Sequence, residues 1–118
     1  MSSRLDHLII ALDNMNKNEI NFFMENGGTN FKTFKIGMEL YFKYGPNYVL
    51  EFHQKWNSKI FLDLKLHDIP NTVKKAIRSL KGLPIDFLTL HLAGGKNMLQ
   101  AAVDEADKSL GNTNLIGV

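Results

Sequence analysis

Cysteine is absent from the 118 residues, which excludes a disulfide scaffold, a thiolate zinc site and a cysteine nucleophile. A strong charge of one sign is absent too. Fourteen Lys and Arg against 12 Asp and Glu leave a formal +2, too little to argue for a nucleic-acid partner. The basic residues are scattered among acids, as on a solvated surface. Long hydrophobic runs are also missing. The apolar stretch Leu8–Leu12 is far too short to span a membrane, and it lacks the small-residue cleavage site of a signal peptide. These absences lead us to expect a soluble, cytoplasmic protein without membrane or nucleic-acid partners. The remaining balance, 44% hydrophobic and 22% charged, is that of a globular chain of one-domain size.

Five short apolar runs recur at fairly even spacing: 7–12, 33–37, 59–65, 86–91 and 114–118. Runs this short, apolar at most positions, suit strands covered on both faces, as in a parallel sheet. The segments between them have helical periodicity. Asn16–Asn26 places Ile20, Phe23 and Met24 on one stripe. Tyr48–Trp56 does the same with Val49, Phe52, His53 and Trp56. Pro70 suits a first helical turn, with Val73, Ile77 and Leu80 following before Gly82 and Pro84 stop the helix. Gly94-Gly95 opens a fourth helix, with Met98, Leu99, Ala102, Val103 and Ala106 expected on its inner side. Met15, Met24, Met38 and Met98 are expected to pack.

The order βαβαβαβαβ implies parallel strands joined by right-handed crossovers. Five strands could close as a doubly wound sheet of flavodoxin type at this length, whereas a (β/α)8 barrel needs about 200 residues or more. The sequence stops inside the apolar run Ile116-Gly117-Val118, and we expect further residues beyond it. Periodicity alone leaves both folds open.

The third run carries the chemistry. Strand alternation puts Phe61, Asp63 and Lys65 on one face and Leu62, Leu64 and Leu66 on the other. Two opposite charges on one face offset part of each other's burial cost. An Asp-x-Lys-x-x-Asp string by itself fits a partly exposed ion pair, with Asp68 capping the helix that Pro70 begins. Its place at the C-terminal end of a parallel strand favours a site, because α/β folds bind ligands there. Lys35, between Phe34 and Ile36 in the second run, is out of place unless it meets an acid. Asp13 ends the first run, where it could instead cap the helix that follows.

These residues resemble a known family. Leu8-Ile9-Ile10-Ala11-Leu12-Asp13, Phe34-Lys35-Ile36-Gly37 and Asp63-Leu64-Lys65-Leu66-His67-Asp68-Ile69-Pro70-Asn71-Thr72 look like the first three strand-end motifs of orotidine 5′-phosphate decarboxylase. Leu90-His91-Leu92-Ala93-Gly94-Gly95 looks like the fourth. The motifs fall in order along the whole chain, and the Asp-Ile-Pro-Asn-Thr extension makes the third one specific.

The resemblance implies a (β/α)8 TIM barrel, with residues 1–118 as the N-terminal half of one barrel domain: four βα units and the start of strand five. It implies cofactor-free, metal-free decarboxylation of orotidine 5′-phosphate to UMP, in pyrimidine biosynthesis, by a homodimer. Lys35, Asp63, Lys65 and Asp68 match the family's alternating catalytic charges. Asp13 matches the acid that contacts the ribose, Lys35 and Asp68 also grip the ribose hydroxyls, and Asp68 and Thr72 match the residues that reach the partner's site. The family's phosphate grip comes from later strands, so the activity is expected of a longer chain. Magnesium-dependent relatives, such as 3-keto-gulonate-phosphate decarboxylase and hexulose-phosphate synthase, share Asp-x-Lys-x-x-Asp but carry an acid at the position of Lys35. A non-catalytic α/β binding module is the alternative from another class. His91 could line the pocket or be a satisfied polar group. Gly94-Gly95 could present N–H groups or merely turn. His67 and Glu39 receive no role.

Overall fold

The structure is a computed structural model that describes residues 4–118. Its five strands lie in one parallel sheet in the order β1-β2-β3-β4-β5, separated by helices. The chain divides into two compact units, residues 1–61 and 62–118, with the break inside the third strand.

The first unit holds β1 (Ile9–Ala11), α1 (Lys17–Glu25), β2 (Thr33–Gly37), α2 (Met38–Tyr44) and α3 (Pro46–Trp56). α1 starts and stops close to where the periodicity predicts. Asn16 caps it with a reciprocal capping box: its side chain accepts the Glu19 N–H at 2.9 Å, and Glu19 accepts the Asn16 N–H at 3.2 Å. β1 and β2 pair in parallel, Ala11 opposite Lys35. Ile20, Met24, Phe34, Ile36, Val49 and Phe52 are buried, and the rings of Phe34 and Phe52 meet edge to face at 5.4 Å.

α2 is a helix that the apolar periodicity does not reveal. It is seven residues long, and Gly45, at φ +78°, separates it from α3, which Pro46 opens. The left-handed Gly45 admits no ordinary side chain cheaply, so the two helices stay distinct. Met38, expected to pack, is 44% exposed at the start of this helix.

The third strand, β3 (Lys59–Leu66), continues into the second unit, which adds α4 (Pro70–Ser79), β4 (Phe87–Leu90), α5 (Lys96–Ser109) and β5 (Asn114–Gly117). Pro70 opens α4 as predicted. Ile69 is the N-cap residue and offers no side-chain cap. Val73, Ile77 and Leu80 face inward from this helix, as do Met98, Ala102 and Ala106 from α5. Val103, expected among them, is 45% exposed, and Glu105 is buried instead. A carboxylate there is tolerated because Arg78 of α4 meets it at 3.1 Å and the Ser109 hydroxyl donates to it at 2.5 Å. β4 and β5 pair in parallel, Leu90 opposite Gly117. A Cβ at Gly117 would stand 2.5 Å from a Leu92 methyl, so any larger residue there requires the exposed Leu92 side chain to shift. Among the described residues no helix is long and apolar enough to cross a membrane.

Candidate active site

Within each unit, a charged pair lies toward the C-terminal end of a strand. In the second unit, Lys65 Nζ lies 2.7 Å from Asp63 Oδ2. The two residues do share a face of β3, as alternation requires. Asp63 is 6% exposed, while the Lys65 side chain retains 40% of its surface. The acid is therefore held inside and the ammonium reaches outward from it.

The second carboxylate oxygen is also held. Thr89 of β4 donates its hydroxyl to Asp63 Oδ1 at 2.8 Å. The same hydroxyl oxygen accepts the backbone N–H of Lys65 at 2.9 Å. Lys65 itself has φ +47°, a left-handed conformation uncommon in any residue but glycine, asparagine or aspartate. Strain of this kind persists only where the surroundings over-determine it, and it clusters at functional sites.

In the first unit, Lys35 Nζ lies 3.1 Å from Asp13 Oδ2. The Leu12 N–H donates to Lys35 O at 3.1 Å, which carries the β1–β2 ladder one step further and delivers Asp13 beside Lys35. Asp13 therefore ends the first strand as a partner of Lys35, and the helix cap is Asn16. Gly37 leaves room for this pair, since a Cβ there would come within 3.2 Å of Asp13 Oδ1.

Asp68 lies in the turn after β3, exposed, and its Oδ1 accepts the N–H of Ile69 at 2.7 Å. The expected helix cap is thus displaced by one residue. Thr72, in the first turn of α4, is exposed as well. The rings of His67 and His91 lie 5.1 Å apart, and the His91 N–H donates to Leu66 O at 3.0 Å. This contact ties the turn that carries Asp68 to the end of β4. The N–H groups of Gly94 and Gly95 donate to His91 O and Leu92 O, both at 3.2 Å, so these glycines form a turn and spend their donors within it. Among the described residues, no three His, Asp or Glu side chains gather as metal ligands.

Thr89 is the site residue the sequence reading passed over. Its signal was a single hydroxyl in the otherwise apolar run Phe87-Leu88-Thr89-Leu90, since a buried hydroxyl must find a partner.

Residues 6–118 match the model of the family described as orotidine 5′-phosphate decarboxylase / HUMPS. The chain belongs to this family. The orotidine 5′-phosphate decarboxylases of Bacillus cytotoxicus and Bacillus mycoides are each 47% identical to it over 97 residues, covering 82% of this chain and 40% of theirs. The chain thus spans about two fifths of the length of the curated relatives it matches. Among solved structures, orotidine 5′-phosphate decarboxylase from Lactobacillus acidophilus superposes with a TM-score of 0.75 at 34% identity, over 93% of this chain and 51% of that one. The Methanocaldococcus jannaschii enzyme, complexed with the inhibitor BMP, superposes with a TM-score of 0.81 at 25% identity, over 93% of this chain and 50% of that one. The fold is accordingly that of a (β/α)8 barrel, of which this chain supplies five strands.

Proposed function

We propose that the protein carrying this chain decarboxylates orotidine 5′-phosphate to UMP and CO2, a step of pyrimidine biosynthesis, without metal or cofactor. The observation that carries the reading is the Asp63–Lys65 pair, 2.7 Å apart at the C-terminal end of a parallel strand. The names of the relatives at 47% identity agree with it.

The reaction breaks the bond between C6 of the pyrimidine and its carboxylate. CO2 leaves, and the electron pair stays on C6. A fixed ammonium beside that carbon stabilises the charge as it develops. Lys65 is that ammonium, and it then delivers a proton to C6. Asp63 aims it, since two hydrogen bonds fix both carboxylate oxygens. Facing the substrate carboxylate, Asp63 also disfavours the bound ground state relative to CO2 loss. Lys35 and Asp13 meet the ribose hydroxyls, and Asp68 completes the alternating set.

The same reading places residues 1–118 in the N-terminal half of one barrel domain and makes the protein a cytoplasmic homodimer. Exposure of Asp68, Thr72 and Ile69, the last at 66%, supports a partner across the first turn of α4. Lys35 stands where magnesium-dependent relatives are expected to carry an acid, which favours metal-free chemistry.

The test follows loss of orotidine 5′-phosphate absorbance by the whole protein in EDTA, beside Lys65→Ala. Turnover in EDTA that falls at least about 10⁴-fold in the variant is expected, because charge stabilisation and proton delivery are lost together. A folded protein without turnover on this substrate, but active on a phosphosugar once magnesium is added, overturns the reading.

A further inference from the structure

We propose that Thr89 is a positioning residue, setting both the direction of the Asp63 carboxylate and the backbone turn that brings Lys65 onto it. Its catalytic consequence rests on the function proposed above. The placement of the groups does not.

Thr89 is 2% exposed on β4. A threonine hydroxyl has one hydrogen to give and lone pairs to accept with. An ionised carboxylate can only accept, so the hydroxyl hydrogen is committed to Asp63 Oδ1, 2.8 Å away. A backbone N–H can only donate, so the Lys65 N–H, at 2.9 Å, is committed to the hydroxyl oxygen. Neither bond can reverse. The hydroxyl thereby becomes a fixed link with one orientation.

Within a regular strand the Lys65 N–H would go to a carbonyl of the neighbouring strand. Here a side-chain oxygen takes it, and the backbone turns left-handed at that residue, φ +47°. The chain resumes its pairing at once, with the His91 N–H on Leu66 O at 3.0 Å. The departure is confined to Lys65, and its side chain ends 2.7 Å from Asp63 Oδ2. One buried hydroxyl thus touches the Asp63 carboxylate through its hydrogen and the Lys65 backbone through its oxygen. A valine of the same shape would fill the space and make neither bond.

The experiment uses the whole protein with Thr89→Val, which keeps the shape and removes the hydroxyl, and Thr89→Ser, which keeps the hydroxyl. Small displacements at a reacting centre lower rates by up to about 100-fold. We expect Thr89→Val to lower kcat by about 10- to 100-fold with KM changed less than about threefold. Thr89→Ser should stay within about fivefold of the parent. Equal kcat in Thr89→Val and the parent overturns the proposal, as does equal impairment in Val and Ser variants of equal melting temperature.

A second measurement stands apart from turnover: the pH titration of the Asp63 side-chain carbon by NMR. Removing a hydrogen bond donated to a carboxylate raises its pKa. An upward midpoint shift in Thr89→Val, absent in Thr89→Ser, supports the proposal even if orotidine 5′-phosphate proves not to be the substrate. Coincident midpoints overturn it. Should Thr89→Val not fold, Thr89→Cys replaces it, as a near isostere with a weak donor. The titration is expected to shift upward there too, and no shift refutes the link.

Discussion

Arg78 on α4 donates to Glu105 on α5 across 3.1 Å, and Glu105 is 3% exposed although the guanidinium side of the pair retains 55% of its surface. The hydrogen bond from Ser109 and then that from Arg78 hold the Glu105 carboxyl below the ordinary value of 4.5. A group whose folded pKa is depressed favours the folded state above its unfolded pKa and loses that contribution as pH falls through the folded value. Glu105→Gln is therefore expected to lower the urea midpoint at pH 7, with the gap to the parent narrowing as pH falls below 4.5. Urea melts of the two proteins across pH 3 to 7 check this. A gap that stays constant with pH would sink it.

The left-handed Lys65 makes an unusual prediction for a strand. Glycine inside a strand is ordinarily less stable than alanine by about 0.5–1 kcal/mol. At φ +47° the order should reverse, because alanine carries a Cβ penalty of about 1 kcal/mol that glycine escapes. We expect Lys65→Gly to be more stable than Lys65→Ala by about 1 kcal/mol, with both devoid of turnover. Denaturant unfolding of the two variants decides it, and an alanine variant at least as stable as the glycine one would count against the conformational reading.

Gly37→Ala should act on Asp13 without touching the rest of the fold. Gly37 has an extended backbone, φ −88° and ψ −178°, which alanine adopts freely. The one group close to the added methyl is Asp13 Oδ1, at 3.2 Å, on a half-exposed side chain that can give way. Weakening one hydrogen-bonding carboxylate corresponds to about a 2- to 10-fold rise in KM. Steady-state kinetics and a thermal melt together test it: KM should rise while the melting temperature stays. A lower melting temperature with unchanged KM would mean that Asp13 has no part in binding.

The strands were legible because their runs are short, apolar and evenly spaced. The start of α4 at Pro70 was legible because it rests on a local rule, whereas the cap of α1 falls on Asn16 and not on Asp13, the candidate the sequence offered. α2 was not, since seven residues scarcely develop a periodic face and a left-handed Gly45 divides the stretch. Alternation within β3 correctly joined Asp63 to Lys65. It could not give the left-handed turn at Lys65, which no local signal marks, since lysine is a poor candidate for that conformation. Asp13 was recognised as ending a strand, but its bond to Lys35 depends on the β1–β2 register, which the chain does not advertise. Thr89 and Glu105 escaped for a common reason. Threonine is an ordinary strand residue and glutamate an ordinary helix residue, so their burial and their partners emerge only when elements pack.

The bonds that secure Asp63 and Lys65 to Thr89 span 26 and 24 residues, all within the single crossover from β3 through α4 to β4. A loop of that length closes at modest entropic cost. β4, the neighbour of β3 in the sheet, supplies the hydroxyl that meets the buried acid. Asp63, only 6% exposed, thus finds a hydrogen-bond partner within its own crossover, so its burial does not leave a bare charge in the native state.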